Sequence, residues 1–431
     1  MTYLSLFSLK RSFNPKQGGR KMKGKITFII IATLLLSACG GNELLGNSKS
    51  ALASSQNRYI VTFEAGEPVS QATVKNNGGQ VLRELPLVNG LSVLLPQQAA
   101  VHRIKALKGI KSVEVDILVH ATKPPTGCIP WPECKDDDVT DPTPDPEPDP
   151  TQEMPWGVLR IGANLAWQTA KGAGVKVAVL DTGIYAGHPD LIVAGGVNFV
   201  SKNPVKPANP NQWSDDNGHG THVAGIIAAL DNTLGVVGVA PEAKLFAVKV
   251  LDKNGSGYVS DIISGLEWAM ANGMQVVNMS LGTNSDVPSL HMAVDAAANA
   301  GLILVAAAGN DGDGNPLTNE VDYPGKYASV IAVGATDSSD VTPYWSSEGS
   351  EVELFAPGVA IYSTWNDGSY NTMDGTSMAT PHVAGSVALL LSAGISNPRA
   401  LLMQLAEDLG PLGFDDSYGY GLVNPDGALG L

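Results

Sequence analysis

The chain is predicted to be α/β, a doubly wound, mainly parallel sheet preceded by a small α+β unit. Three observations carry this reading. Apolar, β-branched runs such as Val175–Leu180 and Leu302–Ala308 alternate with helical runs over the C-terminal two-thirds, as buried strands and their crossover helices do. The 431 residues include 48 glycines and only 16% charged side chains, which suits a buried sheet under close-packed helices. Ahead of this region lies a shorter stretch whose pattern is β-α-β-β-α-β.

Taken in order, residues 26–38 form a 13-residue apolar run after Lys21, Lys23 and Lys25. Such a run is short for a bilayer span and right for a signal-peptide core. It ends in Leu36-Ser37-Ala38-Cys39, which resembles a bacterial lipobox and implies lipid on Cys39; a lone cysteine after an ordinary signal peptide is the alternative. Either Met1 or Met22 can serve as the start. Residues 1–39 are therefore read as leader and lipoprotein-type signal peptide, and 40–57 as a short tether.

Residues 58–122 form the small unit. It has a strand at Tyr59–Phe63, a helix, strands near Gly79–Glu84 and Gly90–Leu95, a helix over Ala99–Leu107 and a strand Lys111–Leu118. That order is ferredoxin-like. Residues 123–151 are an insert. Cys128 and Cys134 are the remaining pair if Cys39 carries lipid, and in an exported protein they are expected to close a small disulfide loop. The Pro-Asp/Glu run to Pro150 predicts an extended, self-repelling spacer. Residues 152–431 form the large unit. The formal net charge of −15 does not indicate nucleic-acid binding.

The chemistry concentrates at four places in the large unit. Gly375-Thr376-Ser377 delivers a serine to the start of a helical run, about Ser377–Leu391, among free N–H groups. An unassisted hydroxyl is a weak nucleophile, so a base is required; a plain helix N-cap is the bland alternative. Asn217–Gly225 opens a helix with His219 at its start, and Asp181 ends the strand 175–180. Asn310 follows the strand 302–308, where its amide can donate to a developing oxyanion. Sites in open parallel sheets lie beyond the carboxyl ends of strands, where Asp181 and Asn310 fall. His222 and His382 read as packing residues. A zinc pair would need histidines at i and i+4 with a glutamate between them.

Together VAVLDTGI, NGHGTHVAG, AAAGN and GTSMATPHVAG, in that order, resemble the subtilisin family of serine proteases over roughly residues 152–431. Residues 58–122 resemble that family's inhibitory propeptide. The resemblance implies a triad of Asp181, His219 and Ser377, with Asn310 and the Ser377 N–H as oxyanion donors. It implies that Gly255-Ser256-Gly257 and Ser280-Leu281-Gly282 sandwich an extended substrate. Asp322 falls near the base of the primary pocket, across a one-residue insertion, where an acid favours basic P1 side chains. A structural calcium is implied at Gln152, Asp190 and Asn232 with the carbonyls of Leu230, Leu234 and Val236. A weaker cation site is implied near Gly325, Tyr327 and Val330.

The tail Val113–Thr122 is expected to thread the active site, with autocleavage near Thr122 or, given the insert, nearer Gln152. The implied partners are protein and peptide substrates, the chain's own propeptide as inhibitor, and the membrane through Cys39 before maturation. The implied enzyme is an exported monomer, anchored as a precursor and released when mature. A silent, surface-attached binding relative is the competing reading. An esterase of another serine-hydrolase fold would need Gly-x-Ser-x-Gly, which the nucleophile context lacks.

Overall fold

The computed structural model describes residues 57–122, 152–203, 206–315 and 317–430; Cys39, Cys128, Cys134 and the Pro-Asp run, with the expectations attached to them, lie outside these. The small unit contains β1 (Arg58–Phe63), α1 (Gln71–Asn76), β2 (Gln80–Leu85), β3 (Gly90–Leu94), α2 (Gln98–Lys105) and β4 (Ile110–Val115). Its antiparallel sheet runs β2-β3-β1-β4, the ferredoxin-like order. The two-residue period of β1 divides its side chains. Val61 and Phe63 join Leu91, Val93, Ala100 and Ile104 in the unit's own core, while Ile60 packs with Leu85 and Val88 into a cluster of the large unit.

After β5 (Leu118–Ala121), the large unit begins with the short helices α3 (Trp156–Arg160) and α4 (Ala163–Ala166), then β6 (Lys176–Asp181), β7 (Val193–Asn198), α5 (His219–Ala228) and β8 (Lys244–Lys249). It continues with β9 (Ser256–Tyr258), α6 (Val259–Ala271), β10 (Val276–Met279), β11 (Leu281–Gly282), α7 (Pro288–Asn299), β12 (Ile303–Ala307), β13 (Val330–Thr336) and β14 (Val352–Pro357). The hairpin β15 (Ile361–Thr364) and β16 (Tyr370–Met373) precedes α8 (Thr376–Ser392), α9 (Pro398–Gln404) and α10 (Pro425–Leu429). Seven parallel strands are ordered β14-β13-β12-β10-β6-β8-β7. Central strands such as β10 are buried at every position, as two-sided cover demands. The chain leaves β6 on one side toward β7 and β8 and returns on the other at β10. The strand order therefore reverses beside β6, and the crevice beyond the ends of β6 and β10 is where such sheets hold ligands.

One expected strand, Lys111–Leu118, is two in the structure. β4 stays in the small sheet, whereas β5 leaves it and lies between β9 and β11 in a separate three-stranded sheet. The break falls at Asp116, whose side chain is fully buried. Its carboxylate accepts from Ser260 N (3.0 Å), Ser260 Oγ (2.7 Å) and Arg58 Nε (2.9 Å), which draws the chain onto the start of α6. Glu114 likewise accepts from Ser289 N at the start of α7 (3.1 Å). Both carboxylates meet the positive end of a helix. Arg58 lies 3.7 Å over the Tyr258 ring, and Arg83 pairs with buried Asp261 at 2.9 Å, so two guanidinium groups add to the attachment.

Candidate functional site

Asp181, at the end of β6, and His219, the first residue of α5, are both fully buried. His219 Nδ1 lies 2.8 and 2.9 Å from the two Asp181 carboxylate oxygens. Strand and helix come this close because residue 220 is glycine: a Cβ there would sit 2.2 Å from the Gly183 carbonyl. Asp215 ties the same two elements together. Its carboxylate accepts from Thr182 Oγ1 (2.9 Å), the amides of Asn217 (2.9 Å), Gly218 (3.0 Å) and Thr221 (3.0 Å), and Thr221 Oγ1 (2.6 Å). That single buried acid satisfies donors on the strand end and the mouth of α5 at once.

Ser377 occupies the second position of α8. Pro381, inside the helix, has no N–H to give the Ser377 carbonyl, which instead accepts from Ser280 Oγ at 2.8 Å. The missing helical bond thus anchors the segment after β10 to the serine. Ser377 Oγ donates to the Ser280 carbonyl (3.1 Å) and lies 2.5 Å from Thr122 Oγ1. His219 Nε2 is buried without a hydrogen-bond partner among the described residues. Asn310 accepts through its Oδ1 from Thr376 N (3.0 Å) and Thr376 Oγ1 (2.9 Å), which leaves its buried Nδ2 without a partner among the described residues. A fixed amide donor with nothing to bind is what a transient oxyanion needs.

β5 is seated in the cleft as an extended strand. Val119 pairs with Gly257 and His120 with Ser256 on one side; Ala121 pairs with Leu281 and His120 with Gly282 on the other. Ala121 N donates to the Gly255 carbonyl (2.8 Å). Gly255, Gly257, Ser280, Leu281 and Gly282 are thereby brought together around one strand, with Thr122 next to Ser377. A cavity of about 480 Å³ opens beside Thr122, lined in part by Gly282, Asn310, Asp311 and Asp322. Asp322 is 6% exposed, its Oδ1 has no partner among the described residues, and its carboxyl is crowded against residue 282, where a Cβ would lie 2.6 Å from Oδ2. Burial first, then the like charge of Asp311, push it up to about 7, with Lys326 opposing.

The residues expected to hold a cation also assemble. Gln152 Nε2 reaches the carbonyls of Leu230 (2.5 Å) and Val236 (3.0 Å), and Asn232 Nδ2 reaches Asp190 (2.7 Å). Fully buried Asp190 also accepts from Val236 N (3.0 Å) and Tyr370 OH (3.2 Å). The Leu234 amide donates to Asn232 Oδ1 at 2.5 Å. Turning the two carboxamides over would bring Oε1 and Oδ1 toward the same carbonyls and carboxylate, a hard oxygen set suited to calcium. The weaker cation site needs revision. The Val330 carbonyl accepts from Arg399 Nη2 (3.2 Å), as does that of Ala328 (2.9 Å), and the same guanidinium pairs with Glu353. The chain thus supplies a cation of its own there.

His222 hydrogen-bonds through Nε2 to the carbonyls of Ile361 and Asn371 (3.0 Å each), and His382 Nδ1 to that of Met378 (2.9 Å). Burial pushes His222 down to about 3, helped by His219, and His382 down to about 4, so both are neutral fillers. Sequence reading missed Thr376, which orients Asn310, and Asp215, which joins Asp181 to α5. The available signals were a hydroxyl directly before the serine and an acid four residues before His219.

A family model described as the Subtilase family matches residues 172–421. Subtilisin E of Bacillus subtilis (strain 168) is 39% identical over 416 residues, covering 95% of this chain and 99% of its own length. Subtilisin DY of Bacillus licheniformis is 49% identical over 282 residues, 64% of this chain and 99% of its own length. Subtilisin Savinase of Lederbergia lenta is 48% identical over the same share of each chain.

Proposed function

The chain belongs to the subtilase family and is a serine endopeptidase, and from that premise we propose that it is an autoprocessed zymogen using Asp181, His219 and Ser377. The single observation that carries this is β5, seated between β9 and β11 as a substrate strand would be, with Thr122 Oγ1 2.5 Å from Ser377 Oγ. Ser377 Oγ forms a bond to the Thr122 carbonyl carbon while His219 Nε2 takes its proton. Asp181 holds the imidazole and stabilises its charged form. The oxyanion is met by Asn310 Nδ2 and the Ser377 N–H. The C–N bond to Lys123 then breaks, and the imidazolium returns its proton to the leaving amine. Water repeats both proton transfers to release the acyl group. Cleavage of protein substrates follows the same course, with Asp322 favouring lysine or arginine at P1.

Gln152, Asp190, Asn232 and the Leu230, Leu234 and Val236 carbonyls would hold calcium. The ion would supply structural support to the loop after α5, not chemistry. Cys39, if lipidated, lies on the propeptide side of Thr122, so cleavage would release a soluble enzyme from an anchored precursor. The deciding experiment compares the chain expressed from Gly40 with its Ser377→Ala variant by intact mass and casein digestion. We expect the wild type to shorten to residues 123–431 and digest casein while the variant stays whole. Two intact, inactive proteins would reject the reading and raise the silent binding relative in its place.

A further inference from the structure

We propose that Thr122 makes the propeptide a self-limiting inhibitor: it leaves the primary pocket unfilled and Asp322 unpaired, and a tail ending in a basic residue would hold far longer. This rests on the reading of the chain as a self-processing endopeptidase. The strand register puts Thr122 in the P1 place, directly after Ala121, which bonds Gly255 and faces Leu281. A threonine is too short to reach across a cavity of about 480 Å³. Its hydroxyl turns to Ser377 Oγ (2.5 Å) and no hydrogen bond joins it to Asp322. On the cavity wall stands the Asp322 carboxyl, 6% exposed, with Oδ1 lacking any partner among the described residues and a second acid, Asp311, also on the wall. A buried acid so placed is costly unless a cation meets it. The lining chemistry therefore fits the ammonium of lysine or the guanidinium of arginine, neither of which the propeptide offers at this position.

The rest of the propeptide is strongly held, through Arg58, Arg83, Asp116 and Glu114. Inhibition thus depends on remote contacts, and the pocket that selects substrates contributes little to it. Remote attachment lets the propeptide dock and be cut. A weak P1 residue then lets the cut tail leave, and a substrate carrying lysine or arginine gains a contact the tail never makes.

The test is a double-mutant cycle on the self-processing chain: wild type, Thr122→Arg, Asp322→Asn and the two combined. After self-cleavage is complete by mass, the lag before full activity on a peptide ester is timed, with active sites titrated so that folding yield does not enter. We expect Thr122→Arg to lengthen the lag by about tenfold or more, on the scale of a close interfacial charge pair. Adding Asp322→Asn should return it to within about twofold of Asp322→Asn alone, the residue expected from independent sites. A Thr122→Arg lag no longer than wild type would overturn the proposal, as would a lag that stays long without Asp322. Failure of the wild type to cleave itself would instead reject the zymogen reading, so the two failures are distinct.

Discussion

Asp215, at the mouth of α5, and Asp322, in the cavity beside Thr122, are both buried aspartates in opposite circumstances. Five donors from two segments, the end of β6 and the mouth of α5, converge on Asp215. Asp322 has an oxygen with no partner among the described residues and a like charge for a neighbour. Nothing is gained for folding by burying an acid in the second way, whereas the first organises the ends of β6 and α5. A buried acid that is fully partnered belongs to the scaffold; one left unpartnered in a cleft is held for something that arrives later.

Removing each should therefore change stability in opposite directions, measured in a Ser377→Ala background to prevent self-digestion. Asp215→Ala leaves buried amides and hydroxyls without an acceptor and should cost about 3–5 kcal/mol, the range for breaking a buried charged network. Asp322→Asn should stabilise. Its folded-state pKa, about 7, lies above the ordinary carboxylate value of 3.8. Well below pH 3.8 neither state is ionised and the variant gains nothing. As pH rises, the unfolded chain loses its proton first and the folded state falls behind, until the penalty is complete above pH 7. Allowing for solvent in the cavity, the gain at pH 8 should be about 1–3 kcal/mol. Melting curves at pH 4 and 8 decide it; a destabilising Asp322→Asn at pH 8 would break the contrast.

Asp190 stands between these two cases, with three donors on its carboxylate. If its cluster with Gln152 and Asn232 holds calcium, chelation should lower the melting temperature, and calcium at a hundred times its dissociation constant should restore about 2.7 kcal/mol. Asp190→Asn should remove that response. A melting temperature indifferent to chelator would leave Asp190 with Asp215, as scaffold.

Most of this arrangement was legible in the sequence because it is local. Asp181, His219, Asn310 and Ser377 each sit at a strand end or helix start that composition marks, and the glycines of 255–257 and 282 flag a close approach. What stayed hidden depends on residues far apart in the chain. Arg83 meets Asp261 across 178 positions and Asp116 meets Ser260 across 144, so no local pattern announces that β4 and β5 must part company. A weaker cation site is expected near Gly325, Tyr327 and Val330 because Arg399, 69 positions after Val330, leaves no trace near it in the sequence. Asp215 was hidden differently: it looks like any loop acid until the amides of α5 are seen to point at it.

The smallest effect is the most discriminating. If Asp322 meets the P1 side chain, the preference for lysine over leucine at P1 should fall as the pH is lowered from 8.5 to 6. Its carboxyl, pushed up to about 7, would be ionised at the first pH and mostly protonated at the second. The ratio of kcat/KM for the two substrates should drop by up to about tenfold, one unit of pH on the protonated side. His219 and Ser377 serve both substrates alike, so their part in the reaction cancels in the ratio. The other charged groups acting on this carboxyl are Asp311, which pushes it up, and Lys326, which opposes. Asp322→Asn should give a low ratio that is flat with pH. A sloping ratio that survives in Asp322→Asn would assign the charge sensing to another group, and a flat ratio in the wild type would mean that the P1 side chain never reaches this acid.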